Sequence, residues 1–284
     1  MVNSKKLIAA EKFSEMIAKV VSIPDNYLVD EPVFIIGCGR SGTTLLARAL
    51  NEHSNIGVFP TEANNLWHPE LYPWHESEVN CPPIWLNPVE FSNTSIQTWP
   101  PGWNDYIEKV FTIYKNISGS SIFLNKSAMI TFFVPVIKRI FESPKFLHIY
   151  RDGRAVAKSY VSKEFKKFNA NDNYNKLEVT DSKNKLEKQF LRYWSKHLEK
   201  IEEYKNNIFY SEEILEVRYE QLSYEPVKNI ERILEFIGVK KSLSDENVPD
   251  IQNRNKKYDL ENSTIYLRCN ESNVYNTLAN KSYL

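Results

Sequence analysis

The chain has 284 residues, of which 42% are apolar and 25% charged, so it can bury the core of one large α/β domain or of two small ones. Its 36 Lys and Arg residues balance 36 Asp and Glu residues, which excludes a strong overall field towards nucleic acid or an anionic membrane. Its 3 widely spaced cysteines suggest neither a disulfide framework nor a zinc site, and they favour a reducing compartment.

The N-terminal part of the chain predicts a helix rather than a leader. Charged residues interrupt its apolar residues, so it lacks the apolar core of a signal peptide, and no run in the sequence approaches the length of a membrane span. Residues 5–21 place apolar side chains at helical spacing, which predicts an amphipathic opening helix. We therefore expect a cytoplasmic protein without a membrane span and without a nucleic-acid partner.

An apolar run, a glycine-spaced turn and a helical pattern follow one another in residues 32–50. The glycines of the turn, residues 37–44 (GCGRSGTT), let the backbone wrap closely around an anion, and the amides of the new helix would point at that anion. The turn is nearly a Walker A loop. However, Thr43 stands where the nucleotide-hydrolysing pattern requires lysine, and the cation is Arg40, inside the loop. The loop therefore predicts a phosphate-like ligand other than magnesium ATP.

The next stretch is rich in tryptophan and proline. Five of the six tryptophans and seven prolines lie between residues 63 and 103, which excludes one long helix or a central strand there. We interpret residues 63–110 as an aromatic-rich insertion of short pieces and loops. Its tryptophans either supply core to an irregular segment or form the walls of an acceptor site, and we expect the second. His68 and His75 are expected at the surface of this insertion.

Regular alternation of strands and helices resumes after the insertion. Strands are predicted at residues 121–124, 145–150 and 214–219, and helices at 130–142, 153–168, 185–205 and 227–237. This alternation predicts an α/β fold with a central parallel sheet flanked by helices. Residues 168–184 are polar and predict an exposed connection, whereas residues 240–284 are weakly patterned and predict an irregular C-terminal segment. We expect residues 1–284 to form one domain.

A second junction between a strand and a helix lies at residues 150–160 (YRDGRAVAKSY). Arg151 is placed at the carboxyl end of a predicted parallel strand, where α/β folds bind ligands, and Ser159 lies two turns further along the next helix. An arginine and a hydroxyl presented together suit a phosphate. Combined with the first loop, the junction predicts a ligand with phosphates at two separated positions.

Three ordered motifs carry a family resemblance. Residues 39–45 (GRSGTTL) and 151–159 (RDGRAVAKS) resemble the two signature motifs of the sulfotransferases that use 3′-phosphoadenosine 5′-phosphosulfate (PAPS), and residues 217–222 (VRYEQL) are also similar to that family. The resemblance implies a P-loop-type α/β fold. It also implies metal-independent, in-line transfer of the sulfuryl group from PAPS to a hydroxyl acceptor, which leaves adenosine 3′,5′-bisphosphate.

The resemblance also implies which residues bind the donor. It implies that the first loop binds the 5′-phosphosulfate, through Arg40, Ser41, Gly42, Thr43, Thr44 and Leu45. It also implies that Arg151 and Ser159 bind the 3′-phosphate and that Tyr219 lies near the adenine. A basic cluster later in the chain either matches the 3′-phosphate loop of the cytosolic branch or is a solvated tail: Arg254, Lys256 and Lys257.

Within the family, the chain is most similar to the tyrosylprotein sulfotransferases and related bacterial enzymes. Residues 125–127 (NKS) and 143–155 follow that branch nearly element by element, and its catalytic lysine matches Lys126. The cytosolic small-molecule branch has a catalytic histidine at the position of Ala128. The general base is therefore expected elsewhere in this chain.

Glu62 is the residue we expect to act as the base. The Golgi branches use a glutamate shortly after the first helix, and Glu62 lies one residue beyond that spacing. A carboxylate can take the proton of the acceptor hydroxyl, while Lys126 and Arg40 can neutralise the sulfuryl and bridging oxygens. The histidines of the insertion, His68 and His75, are the alternative bases.

Other interpretations stay open at this point. Glu62 could be a helix N-terminal carboxylate capped by Thr61, and Lys126 could be a solvated lysine at a strand end. A P-loop kinase or NTPase would require magnesium ATP, and a non-catalytic nucleotide-binding module would keep the pocket without transfer. The acceptor is equally open between a peptide tyrosine, a glycan, a lipid and a small molecule.

Overall fold

The computed structural model describes residues 4–19, 21–23, 28–72, 84–168, 179–239, 251–258, 260 and 272–283. Within these residues, five parallel strands form one sheet in the order β2-β3-β1-β4-β5. The strands are β1 (Val33–Ile36), β2 (Ile56–Val58), β3 (Ile122–Lys126), β4 (Lys145–Tyr150) and β5 (Ile214–Arg218). The predicted α/β class with a central parallel sheet is therefore confirmed.

Helices flank the sheet and connect its strands. In the N-terminal half they are α1 (Ser4–Ala18), α2 (Thr43–Asn51), α3 (Asn64–Trp67), α4 (Pro88–Gln97), α5 (Trp103–Ser118) and α6 (Val134–Ile140). In the C-terminal half they are α7 (Gly153–Phe168), α8 (Val179–Asn207), α9 (Tyr219–Tyr224), α10 (Pro226–Phe236) and α11 (Ser272–Asn280). Within the described residues, 3-10 turns span Met129–Phe133 and Arg254–Lys257. Among the helices described, none combines the length and the apolar character that a membrane crossing needs.

The central strand β1 determines where the loops of the sheet meet. In the register of the sheet, Ile35 pairs with Lys126 of β3 on one side and with Leu147 of β4 on the other. All of β1 is buried, because helices cover both faces of the sheet, and this explains its continuous apolar sequence. Since the strands are parallel, the loops that follow β1, β3 and β4 meet at one edge of the sheet.

The two faces of the sheet carry separate apolar cores. Side chains alternate along β1, so Phe34 and Ile36 contribute to one core, whereas Val33 and Ile35 contribute to the other. Helices α5, α6 and α8 pack on the first face, which is rich in phenylalanine. Helices α2 and α10 pack on the second face, which is mainly aliphatic. These two layers hold the loops at the carboxyl edge in place.

The tryptophans of the insertion are anchored to the first core. Trp67 is fully buried, and its indole N–H donates to Asn125 Oδ1 at 3.2 Å. The indole N–H of Trp99 donates to the carbonyl of Trp67 at 3.3 Å, and Trp103 packs partly buried against the same core. Trp85, by contrast, is 37% exposed. Most of the described tryptophans of the insertion therefore belong to the core. This agrees with the alternative interpretation of the segment and not with the expectation that its tryptophans form the walls of an acceptor site.

Several elements differ from the sequence expectation. The three-residue strand β2 was not predicted, because so short a run carries little periodic signal. Residues 103–110 begin the regular helix α5, and residues 179–184, expected in an exposed connection, begin α8. The C-terminal segment includes α11, which buries Val274 and Leu278 in the core formed with α7 and α8. Trp74, His75 and residues 169–178 lie outside the described residues.

Candidate active site

The loop after β1 has the backbone geometry of an anion cradle. Its backbone is left-handed at Arg40 (φ 70°) and at Gly42 (φ 107°), as the wrapped chain requires. A Cβ at Gly42 would lie 2.8 Å from Cδ2 of Tyr219, so only glycine lets these two segments approach so closely. Helix α2 begins directly after the loop, at Thr43, and the amides of a first helical turn have no partner within their own helix.

Two buried polar atoms next to this loop have no hydrogen-bond partner among the described residues. They are the hydroxyl oxygen of Ser41, which is fully buried, and the NH2 nitrogen of Arg151, which is 5% exposed as a residue. A buried donor without a partner costs roughly 1–3 kcal/mol. Since both atoms can donate hydrogen bonds, their environment suits an anion with several acceptor oxygens.

Arg151 is held from three directions at the end of β4. Its Nε donates to Asn255 Oδ1 at 2.6 Å, and its NH1 donates to the backbone carbonyl of Arg40 at 3.2 Å. The guanidinium carbon lies 4.4 Å from the centre of the Tyr219 ring. Burial lowers the pKa of Arg151, opposed by the neighbouring Tyr219, but a guanidinium keeps its charge at neutral pH. The structure thus places a positive charge with one free donor at the loop.

The first motif and the second motif meet through Arg40. The Nε of Arg40 donates to the hydroxyl of Ser159 at 3.0 Å, from the first turns of α7. Because Arg151 also bonds the carbonyl of Arg40, both residues assigned to the second phosphate contact the residue at the centre of the first loop. Thr44 and Leu45 continue from the loop into α2.

A lysine and a glutamate form a close ion pair beside the loop. Lys126 ends β3, and its Nζ donates to Glu62 Oε1 at 2.6 Å. The side chain of Lys126 is 13% exposed and that of Glu62 is 36% exposed. Thr61 does cap its local turn, because its hydroxyl accepts a hydrogen bond from the Ala63 amide, but the Glu62 carboxylate turns towards Lys126 instead of a helix terminus.

Tyr219 connects the loop to the C-terminal segment. Its hydroxyl donates to the carbonyl of Gln252 at 3.1 Å and accepts the amide of Arg254 at 3.0 Å. The 3-10 turn that starts at Arg254 therefore lies next to Tyr219, while the side chains of Arg254, Lys256 and Lys257 are exposed. The backbone amide of Arg254 contacts Tyr219, and the side chain of Asn255 contacts Arg151.

The hydroxyl of Tyr160 lies against the loop at Gly39, and the sequence did not single it out. A Cβ at Gly39 would overlap this hydroxyl and would come within 3.6 Å of Ala128 Cβ. The Tyr160 ring stacks on Phe190 with 4.4 Å between ring centres, and burial raises the pKa of its phenol well above the usual value. Tyr160 thus forms one side of the loop, next to Ala128.

His68 does not lie at the surface, where it was expected. His68 is fully buried, which contradicts the surface placement: its Nδ1 lies 3.1 Å from the Ser95 hydroxyl and its ring lies against Phe91 and Phe133. Burial lowers the pKa of His68 to about 3, because a charged imidazolium would lose its hydration there. His148 is packed inside β4, as its alternation in the strand predicts.

Comparisons with known proteins give one consistent family. A family model described as the sulfotransferase family matches residues 32–243. A relative from Caenorhabditis briggsae, described as "Putative protein-tyrosine sulfotransferase", is 22% identical over 213 residues, which are 75% of this chain and 67% of that relative.

Two solved structures share the fold at low sequence identity. The sulfotransferase domain from the curacin biosynthetic pathway has a TM-score of 0.56 at 16% identity, with 90% of this chain and 99% of that domain covered. The sulfotransferase domain from the Synechococcus PCC 7002 olefin synthase has a TM-score of 0.54 at 17% identity, with 93% and 98% covered. The likeness extends beyond the matched family segment at both ends of the chain.

Proposed function

The chain belongs to the sulfotransferase family, and we propose that it transfers the sulfuryl group of PAPS to a hydroxyl acceptor by in-line displacement. The observation that carries this proposal is the meeting of the two motifs. A loop without the Walker lysine lies against Arg151 and Ser159 through Arg40, so two anion-binding positions are adjacent. A donor with phosphates at both its 5′ and 3′ ends fits this arrangement.

The unpaired donors support the assignment of the two phosphates. We propose that residues 40–45, with the free hydroxyl of Ser41, hold the 5′-phosphosulfate. Arg151, with its free NH2, and Ser159 would then hold the 3′-phosphate, and Tyr219, which lies against Gly42, would contact the adenine. Because the guanidinium and the loop amides are already oriented, binding would need little reorganisation.

The ion pair beside the loop suits the chemistry of transfer. We propose that Glu62 accepts the proton of the acceptor hydroxyl as its oxygen bonds to sulfur, while the bond between sulfur and the bridging phosphate oxygen breaks. Lys126 and Arg40 would stabilise the negative charge that develops on the sulfuryl and bridging oxygens. The proton can then leave to solvent, since Glu62 is 36% exposed. The products are the sulfated acceptor and adenosine 3′,5′-bisphosphate.

The insertion at residues 63–110 is the part of the chain that we propose for acceptor binding. Its described portion includes exposed aromatic side chains, Tyr72 at 43% and Trp85 at 37%. Aromatic faces pack well against phenols, sugar faces and acyl chains. The name of the Caenorhabditis briggsae relative makes a tyrosine peptide the first acceptor to test, followed by glycans, lipids and small alcohols.

The test of the donor is calorimetry, run once without divalent cations and once with magnesium. Adenosine 3′,5′-bisphosphate should bind, and ATP should bind much more weakly with or without magnesium. A P-loop kinase would show the reverse preference, and that result would overturn the proposal. Transfer of labelled sulfate from PAPS to a panel of the four acceptor classes then decides between an enzyme and a non-catalytic binding module, because the module binds the bisphosphate and sulfates nothing.

A further inference from the structure

A line of hydrogen bonds joins the end of the chain to Arg151, and we call its three outer members, Tyr283, Glu220 and Asn255, the C-terminal relay. The hydroxyl of Tyr283 donates to Glu220 Oε2 at 2.9 Å. Asn255 Nδ2 donates to the other oxygen, Glu220 Oε1, at 2.8 Å, and Arg151 Nε donates to Asn255 Oδ1 at 2.6 Å. The bonds from Tyr283 and Asn255 have ordinary lengths, and the bond from Arg151 is short, as bonds from a charged donor are.

The middle of the relay, Glu220, and its far end, Tyr283, are fixed by further contacts. Glu220 Oε1 also accepts the backbone amide of Asp152 at 3.1 Å, so the carboxylate holds the turn that follows β4. Arg154 donates through NH2 to the carbonyl of Tyr283 at 2.6 Å, and the Arg218 guanidinium lies 4.5 Å from the centre of the Tyr283 ring. The last turn of the chain is thereby attached to the second motif.

The orientation of the Asn255 amide determines which nitrogen of the Arg151 guanidinium is left to bind a ligand. The Glu220 carboxylate can only accept hydrogen bonds, so it keeps the amide of Asn255 turned with its nitrogen towards Glu220 and its oxygen towards Arg151. Arg151 Nε is then occupied by Asn255, and NH1 is occupied by the carbonyl of Arg40. The NH2 nitrogen is the donor of this guanidinium that is left without a partner among the described residues.

We propose that the C-terminal relay consists of positioning residues that aim the free donor of Arg151 at the 3′-phosphate of the nucleotide. The relay therefore sets how strongly the protein distinguishes nucleotides with a 3′-phosphate from those without one. This inference rests on the proposed function. Glu220 lies within the segment that matches the family model, whereas Asn255 and Tyr283 lie beyond residue 243, where that match ends.

A purely structural role for the same contacts makes a different prediction. If the relay only attached the C-terminal segment to the core, its loss would lower stability and would weaken every adenine nucleotide equally. If it orients Arg151, its loss weakens only ligands that carry the 3′-phosphate. The ratio of two affinities therefore separates the two roles.

The first test is Asn255→Ala, compared by calorimetry with adenosine 3′,5′-bisphosphate and with adenosine 5′-phosphate. We expect the affinity for the bisphosphate to fall about tenfold, because Arg151 loses a short hydrogen bond that orients it, while the affinity for the monophosphate stays unchanged. The matched control is Asn207→Ala, since Asn207 is exposed at the end of α8. This control should keep both affinities.

The second test is Tyr283→Phe, which removes only the hydroxyl at the far end of the relay. We expect the affinity for the bisphosphate to fall about threefold, with the affinity for the monophosphate again unchanged. Tyr224→Phe is the control, because Tyr224 is 85% exposed. An unchanged preference for the bisphosphate in both Asn255→Ala and Tyr283→Phe overturns the relay alone. A wild-type protein without this preference overturns the proposed function, and the relay with it.

Discussion

Two pairs of glutamate and lysine in this molecule have the same chemistry but different surroundings. Lys126 and Glu62 meet at 2.6 Å beside the loop, and Glu62 is 36% exposed. Glu216 of β5 meets Lys281 at 3.0 Å, and the same carboxylate also lies 3.1 Å from Lys205 Nζ and 3.4 Å from His148 Nδ1. The second pair is therefore part of a larger ionic cluster.

The difference between the pairs shows how neighbours decide what a carboxylate can do. Burial raises the pKa of Glu216, but the neighbouring His148 and Lys281 outweigh the effect of burial and hold that pKa well below its usual range. A carboxylate stabilised in this way is a poor proton acceptor and joins α11 to β5 and α8. Glu62 is open to solvent beside the loop, where an acceptor can reach it. Access and partners thus distinguish a candidate base from a structural anchor.

The largest expected effect is the loss of turnover in Glu62→Gln. We expect kcat for sulfation to fall at least about a hundredfold, because the amide cannot accept the acceptor's proton. The affinity for adenosine 3′,5′-bisphosphate, measured by calorimetry, should stay unchanged. A wild-type kcat in this variant would show that the base lies elsewhere.

The next effect is a loss of transition-state stabilisation in Lys126→Met. We expect kcat/KM to fall roughly a hundredfold, since the developing charge on the bridging oxygen loses its cation. Lys138→Met is the matched control, because Lys138 also meets a glutamate, Glu213, at 2.6 Å, but away from the loop. If both lysine variants lose activity equally, the special role of Lys126 is excluded.

Glu216→Gln, in contrast to the two variants beside the loop, should lower stability and leave activity unchanged. We expect the free energy of unfolding to drop by about 1–3 kcal/mol, because Lys281, Lys205 and the buried His148 lose their shared anion. The drop stays in this modest range since the Glu216 side chain is 27% exposed. Denaturant unfolding measures it, and kcat of the folded variant should match wild type. Glu225→Gln, in an exposed pair with Lys228, should leave stability unchanged.

Acid should lower the stability of the fold through its buried histidines. Burial, helped by the nearby His148, lowers the pKa of His197 to about 3, and burial does the same for His68. A group whose pKa is lower in the folded state stabilises the fold above its unfolded pKa, and this stability is lost as the pH falls below about 6.5. We expect unfolding between pH 7.5 and pH 6 to become easier by roughly 1 kcal/mol for each histidine.

His197→Gln identifies the source of this acid effect. The variant should keep the contributions of His68 and of His148, whose pKa burial also lowers, so its free energy of unfolding should fall less between pH 7.5 and pH 6 than that of the wild type. Urea titrations followed by tryptophan fluorescence would measure both slopes. Equal free energies of unfolding at the two pH values in the wild type would contradict the prediction.

Local patterns in the sequence predicted much of this site. Glycine spacing identifies the loop at residues 37–44, because left-handed backbone needs glycine at Gly42. Apolar runs identify β1, β3 and β4, so the loops that follow them could be assigned to one edge of a parallel sheet. The same reasoning could not predict the burial of His68, because the side chains that surround it come from α4 and the 3-10 turn that starts at Met129.

By itself, the sequence determined the α/β class, and it located the glycine-spaced loop and the second junction between a strand and a helix, since each depends on residues close together in the chain. Only the tertiary structure decided that Lys126 meets Glu62 and that the carboxylate of Glu216 is shared by a cluster. It also decided that Tyr283 reaches Arg151 through Glu220 and Asn255. These contacts join residues that are far apart in sequence. They depend on the order of the strands and on the packing of the C-terminal segment, which no local pattern records.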